Sequence, residues 1–348
     1  MSFAADEIRS QPEIWEATLA SVPDQWRRIA PHLSFEPGTQ VLFTGSGTSF
    51  YLALSAAHAF QEVTGCAARA VPASEIFLSP ASTVPKHGPV VAFLFSRSGT
   101  TSEAVLAARH LTRTRPGART IAISCNAGTP LAAATDHAIE LPHAAERSMV
   151  MTRSFTTMLL AAQMVAATVA GDGALRADLV RLPNLLRRRF ADFEAFAREW
   201  GGNAALRRFV YLGLGPNYGL AEEATLKLKE MTQVPCSAYN PLEFRHGPVS
   251  TVTGDTAVIL LAGERERAYL GDVATDVHGH GAKVATIGPY PLDHAGVSLA
   301  LPGDLSDLAR AVLYLPPAQL LAHARAELLG LDPDAPRLLN PVVTLDAR

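Results

Sequence analysis

The chain has 348 residues, of which 48% are hydrophobic and 18% charged, and a formal net charge of −3. This length and apolar share exclude a disordered chain and suffice for about two folded domains. The mixed, near-neutral charge excludes a broad electrostatic footprint for nucleic acid or for an anionic membrane, so any phosphate site must be local. Cys66, Cys125 and Cys236 are odd in number and lack C-x-x-C spacing, which points to reduced structural thiols and a cytoplasmic protein. The acidic opening MSFAADEIRSQPEIW lacks the apolar core of a secretion signal. The longest apolar run, 158–170, contains Gln163 and is too short to cross a bilayer.

Residues 4–32 read as helical, with Pro12 starting a second pattern and Pro23 breaking it. An apolar strand from Val41 then meets the Gly- and hydroxyl-rich turn TGSGTS and an apolar helix from Tyr51 to Phe60, a strand-loop-helix unit. A second unit runs from VVAFLF at Val90 through Ser96-Arg97-Ser98-Gly99-Thr100-Thr101 into a helix starting at Ser102. Hydroxyls and backbone N–H groups at a helix N-terminus make an anion cradle; the same residues also suit plain N-capping. Neither loop is a Walker motif or a dinucleotide fingerprint. Strands follow at Thr120 and Ala138, then the stretch ERSMVMTRSFTTMLL from Glu146. The Arg-rich, amphipathic 171–203 reads as a helical connector.

The second half repeats the first. FVYLGLGPNYGLAEEA from Phe209 aligns with VLFTGSGTSFYLALSA-like sequence from Val41, placing Gly213 and Gly215 where Gly45 and Gly47 stand, and strands at Ala257 and Lys283 mirror those at Val90 and Ile121. The second copy has Gly263-ERER in place of a hydroxyl-rich loop, so one phosphate site per chain is expected. His278-Gly279-His280 lies at a helix-to-strand turn without further ligands, and no metal is expected there.

Leu220–Pro248, LAEEATLKLKEMTQVPCSAYNPLEFRHGP, concentrates the ionisable groups. At about 100° per residue, Glu223, Lys227 and Glu230 fall within roughly a 60° arc of one helix. The pattern alone fits an i,i+4 ion pair on a solvated face, and two further features favour a catalytic stripe. Only four lysines occur among the 30 basic residues, and two of them, Lys227 and Lys229, are here. His246 follows in a Gly-Pro-terminated loop, where a proton-transfer group can face a ligand.

EATLKLKE followed by EFRHGP resembles the sugar isomerase (SIS) family, in particular the isomerase half of glucosamine-6-phosphate synthase and its stand-alone relatives. S-x-S-G-x-T at Ser96 is similar to the family's phosphosugar loop, and EI..QP at Glu7 to the opening of the synthase's isomerase half. The resemblance implies Glu230 as the group that moves a proton between sugar C1 and C2, and His246 as a ring-opening group supplied across a homodimer interface. It also implies Glu223 and Lys227 as their support. Thr48, Ser49, Ser96, Arg97, Ser98 and Thr101 are implied as phosphate-binding, and Gly47, Met149 and Asn340 as sugar-binding. Two residues depart from the family pattern: Met151 replaces a serine that lines the sugar, and Arg153 replaces a lysine. In the tail from Leu331, Pro341 stands where the family has a lysine that forms a Schiff base with the ketose.

The fold expected is α/β, two tandem SIS domains, each a three-layer α/β/α unit around a mainly parallel sheet. The expected boundaries are a helical segment 1–32, a first domain 33–170, a connector 171–203, a second domain 204–330 and a tail 331–348 closing over the site. The implied function is a phosphosugar isomerase acting as an amino-sugar-6-phosphate deaminase, without metal or organic cofactor. The alternatives are a fructosamine-6-phosphate deglycase and a non-catalytic phosphosugar sensor. The expected partners are a small sugar phosphate and a second copy of the chain, with no nucleic acid and no membrane.

Overall fold

The computed structural model describes residues 2–340 and residue 345. Pro341, the expected position of the departure from the family lysine, lies outside the described residues. Among the described residues ten strands form two sheets: β1 Gln40–Gly45, β2 Ala67–Pro72, β3 Val90–Ser96, β4 Arg119–Ser124 and β5 His137–Glu140; then β6 Arg208–Gly213, β7 Cys236–Tyr239, β8 Thr256–Leu261, β9 Lys283–Gly288 and β10 Val297–Ala300. The first sheet has the order β2-β1-β3-β4-β5. The second, read as β7-β6-β8-β9-β10, has the same order, so the sequence repeat is a repeat of topology. Every strand pairing in both sheets is parallel, with registers such as Val41↔Val91 and Phe209↔Ala257.

Strands buried on both faces carry near-continuous apolar runs, and VVAFLF in β3 and AVILL in β8 are wholly buried. The period of two sends alternate residues to opposite layers. In the first sheet Leu42, Ala92 and Leu94 pack with Ile76, Ala104 and Leu111 from helices on one face. Phe43 and Phe93 point to the other, where their rings stack at 5.0 Å and Phe93 meets Trp26 at 6.4 Å. In the second sheet Val210, Leu212, Val258 and Leu260 pack with Leu270, Val273 and Val277 of the helix Arg267–Gly279.

Two compact units follow from the packing. One comprises Glu13–Arg147 and Arg153–Val180 and contains the first sheet. The other comprises the chain up to Pro12, Ser148–Thr152 and Arg181–Leu339, and contains the second sheet. The stretch 171–203 is realised as the single helix Gly173–Gly201. Pro23 departs from its expected role: the helix Gln11–Ile29 runs through it. A proline there costs one helical hydrogen bond, and the buried anchors Trp15, Val22, Trp26 and Ile29 hold the helix on both sides of it.

The strand-to-helix turns after β1 and β6 share one construction. Gly47 and Gly215 have φ of 55° and ψ of −127° and −125°. A Cβ on Gly213 would lie 2.2 Å from the Asn217 carbonyl oxygen, so only glycine lets the helix start this close to its strand. Gly271 is the opposite case, a helical glycine with open space around its Cβ direction. Gly213→Ala is expected to cost about 1–3 kcal/mol through overpacking, whereas Gly271→Ala should gain about 0.5–1 kcal/mol. Urea-unfolding midpoints moving in opposite directions would check both.

Candidate active site

In a doubly wound sheet of this strand order, the chain leaves β1 to one side and β3 to the other, and the crevice at their C-terminal ends is the natural ligand position. Both hydroxyl-rich loops stand there. The loop after β1 brings Gly47, Thr48 and Ser49 to the start of the helix Thr48–Thr64, with Thr48 and Ser49 buried. The loop after β3 brings Ser96, Arg97, Ser98 and Thr101 to the start of the helix Ser102–Thr114. The structure therefore gathers all seven of these expected residues at the edges of two adjacent strands.

The loop's internal bonds separate shape from binding. The buried Ser96 hydroxyl accepts from Gly99 N at 3.0 Å and lies 3.1 Å from Thr101 Oγ1. Ser98 Oγ accepts from Thr100 N at 3.1 Å and from Thr100 Oγ1 at 2.9 Å. Gly99, at φ 67°, has Thr129 Oγ1 within 2.3 Å of where a Cβ would sit. Thr101 is the N-cap residue of the following helix but makes no side-chain cap, and Gly47 caps the other helix without a side chain. The hydroxyls are thus not consumed as N-caps, and both helix N-termini keep the polarity that favours an anion.

Arg97 is fixed at both ends. Its carbonyl accepts from Cys125 N at 3.0 Å and Asn126 Nδ2 at 3.2 Å, and its guanidinium lies 3.7 Å from the buried carboxylate of Glu146. Glu146 also accepts from Ser154 N at 3.0 Å and Ser154 Oγ at 2.5 Å, at the start of the helix Arg153–Val169. Composition and spacing do not mark this carboxylate's pairing with Arg97, because the two lie far apart in sequence. The three cysteines are free. Burial pushes the Cys125 thiol up and that of Cys236 to about 12, so neither is a nucleophile at neutral pH.

In the second unit, the helix Pro216–Thr232 follows β6 and carries Glu223, Lys227 and Glu230. The solvated-face reading fails here: the side chains of Lys227 and Glu223 are 0% exposed and that of Glu230 is 16% exposed. Lys227 Nζ lies 3.4 Å from Glu223 Oε1 and donates a short hydrogen bond to Glu230 Oε2. One buried ammonium thus joins an inner carboxylate to an outer one, and only the outer one meets solvent. His246 is exposed in the turn between the helices Pro241–Phe244 and Pro248–Thr251, beside Gly247 at φ 129°.

The second unit's counterpart of the Ser96–Thr101 loop, after β8, is filled by the protein itself. Glu264 N donates to both Asp307 carboxylate oxygens at 3.1 Å, and Gly263 N donates to Glu266 Oε1 at 2.9 Å. Internal carboxylates occupy the amides that an anion would need. Met149 belongs to this second unit and is half-buried, whereas Asn340 is exposed and groups with the first. In the tail, Leu345 N donates to Ser102 Oγ at 3.1 Å, at the start of the helix that follows the Ser96–Thr101 loop.

The SIS domain family model matches residues 35–168 and 205–290. The chain is 28% identical to the D-galactosamine-6-phosphate deaminase AgaS of Escherichia coli, over 96% of this chain and 91% of that protein. The structure of a glucosamine-6-phosphate deaminase from Thermotoga maritima is similar with a TM-score of 0.80, at 27% identity over 99% of this chain and all of the other. That of a tagatose-6-phosphate ketose/aldose isomerase from Escherichia coli is similar with a TM-score of 0.83, at 27% identity, covering 99% of this chain and 97% of the other.

The buried ion pair makes a stability prediction. Lys227→Met strands the Glu223 carboxylate without its cation and is expected to cost about 3–5 kcal/mol. The double variant Glu223→Gln with Lys227→Met removes both charges and should recover most of that loss, a comparison that urea denaturation of the three proteins resolves.

Proposed function

The chain belongs to the SIS domain family, and on that premise we propose that it is an amino-sugar-6-phosphate deaminase, converting a 2-amino-2-deoxyaldose 6-phosphate into a ketose 6-phosphate and ammonia. The observation that carries this reading is the pairing of Glu230 with a fully buried ammonium, which leaves one partly exposed carboxylate held in place for proton transfer. Similarity to two amino-sugar-phosphate deaminases supports the substrate class.

In the proposed mechanism the loop residues Ser98, Thr101 and Arg97, with Thr48 and Ser49, bind the phosphate through hydroxyls, a guanidinium and helix N-termini. His246 assists opening of the sugar ring to the free aldehyde. Glu230 removes the C2 proton while O1 gains one, giving an enaminol, and returns a proton to C1 while the nitrogen gives one up, giving the ketose imine. Water adds to the imine carbon and ammonia leaves; C2 is oxidised as C1 is reduced within the same sugar, so no external oxidant or reductant and no metal is required. Lys227 holds Glu230 by charge and hydrogen bond, and Glu223 anchors Lys227 from the interior.

The protein is proposed to act in the cytoplasm as a homodimer in which His246 of the partner subunit completes each site. No helix among the described residues is long and apolar enough to cross a membrane. Sugar is proposed to be contacted by Gly47, Met149 and Asn340. Since Pro341 has no amine, the synthetic direction, which would begin by capturing a ketose carbonyl, is not expected.

Glu230→Gln should lower ammonia release from galactosamine or glucosamine 6-phosphate by roughly 10²–10⁴-fold while keeping the affinity for the phosphosugar; unaltered turnover would remove Glu230 from the mechanism. Ser98→Asp should abolish phosphosugar binding by setting charge against charge, and calorimetry showing wild-type affinity would remove the loop from the site. Mixing inactive Glu230→Gln and His246→Ala chains should restore activity through hybrid sites. With subunit exchange demonstrated, no recovery would place His246 in its own chain's site.

A further inference from the structure

A cavity of about 770 Å³ opens between the helices Gln11–Ile29 and Arg153–Val169, and nothing in the chemistry above uses it. Every residue that lines it belongs to the unit containing the first sheet. Pro23, Trp26 and Arg27 stand on one face of the first helix at the spacing i, i+3, i+4, and Met164 and Thr168 on one face of the second at i, i+4. Phe35, also in its lining, precedes β1 and packs on Phe60, near the end of the helix Thr48–Thr64, at 5.5 Å. The cavity therefore lies toward the N-terminal ends of the strands, whereas both hydroxyl-rich loops lie at their C-terminal ends.

Its wall is apolar and braced. The buried Trp26 ring meets Phe93 at 6.4 Å and Phe35 at 6.5 Å, and Met164 is buried beside them in the lining. Pro23 and Pro31 add backbone with a fixed φ. Aromatic and thioether walls around a volume of this size are those of a small-molecule site. The charge is one-sided: the ionisable side chains in the lining are Arg27 and Arg176, with no carboxylate among the described lining residues. Arg27 shares an exposed ion pair with Asp24 at 3.0 Å, which holds it weakly. Arg176 is exposed in the first turn of the helix Gly173–Gly201, where the helix dipole disfavours a cation and favours an anion beside it. Asp172, which precedes that helix, is taken up in capping it and accepts from Leu175 N at 2.9 Å. We propose that this cavity is a binding site for a small amphipathic anion, with its apolar body against Trp26, Phe35 and Met164 and its anionic head at Arg176 and Arg27.

Calorimetry of the full chain with submicellar decanoate and decyl phosphate tests this, with decylammonium as the probe of opposite charge. One anion per chain should bind and shift the tryptophan emission, a shift that Trp26→Phe removes; the tighter of the two anions identifies the head group. Decylammonium should bind roughly tenfold more weakly or not at all, since a charged hydrogen bond is lost. Arg176→Glu, at an exposed helix end, should raise the dissociation constant of both anions roughly tenfold or more. Ala30→Phe places a ring in the cavity from its own wall and should abolish binding. No anion binding to the wild-type chain, equal affinity for decanoate and decylammonium, or unchanged anion affinity in either variant would overturn the proposal. So would a sedimentation coefficient that Ala30→Phe lowers in the absence of any anion, because a second copy of the chain would then be what covers the cavity.

Discussion

The constraint on which the molecule rests is the reversal of strand order in a parallel sheet. Parallel strands need a crossover for each connection, and where consecutive crossovers run to opposite sides the loops part and leave a crevice. Both halves of the chain have this reversal, between β1 and β3 and between β6 and β8. The glycines at Gly45 and Gly213 keep each first helix tight against its strand, as a Cβ at either would collide with the helix backbone. The halves then diverge in use. The first keeps hydroxyls and helix N-termini at its crevice, while the second fills the corresponding amides with Asp307 and Glu266 and uses the helix after β6 to carry ionisable side chains.

On that helix the decisive feature is burial. An exposed i,i+4 ion pair contributes a few tenths of a kcal/mol and organises little. Lys227 and Glu223 are removed from water, so neither can dissociate from the other without a heavy electrostatic cost. Glu230 inherits that rigidity through its bond to Lys227 while its own carboxylate stays partly exposed. An anchored base at the edge of solvent suits proton transfer between adjacent sugar carbons better than a mobile surface carboxylate would.

Much of this was legible in the sequence because it is local. The two glycine turns, the hydroxyl loop and the helix bearing Glu223, Lys227 and Glu230 are each written in fewer than twenty consecutive residues, and periodicity or turn chemistry exposes them. The illegible parts depend on distant partners. Nothing near Glu7 announces Ser148, nothing near Glu264 announces Asp307, and the place of Glu146 beside Arg97 needs the fold to bring β3 and the 153–169 helix together. Whether the stripe on the 216–232 helix was solvated or buried was equally open, since a charged i,i+4 pattern is ordinary on surfaces and only packing decides its meaning. Pro23 misled because its local preference to end a helix is weaker than the burial of the aromatic and aliphatic residues around it.

The account stands on Glu230 moving a proton from C2 to C1 of the sugar, and isotopic labelling observes that transfer. With the amino-sugar phosphate deuterated at C2 and the enzyme in ordinary water, the account predicts a primary isotope effect on kcat/KM and ketose 6-phosphate carrying part of the deuterium at C1 by NMR. Ammonia release with no isotope effect and no label at C1 would contradict it, because the nitrogen would then be leaving by a route in which the C2 hydrogen is neither broken from carbon in a limiting step nor delivered to its neighbour.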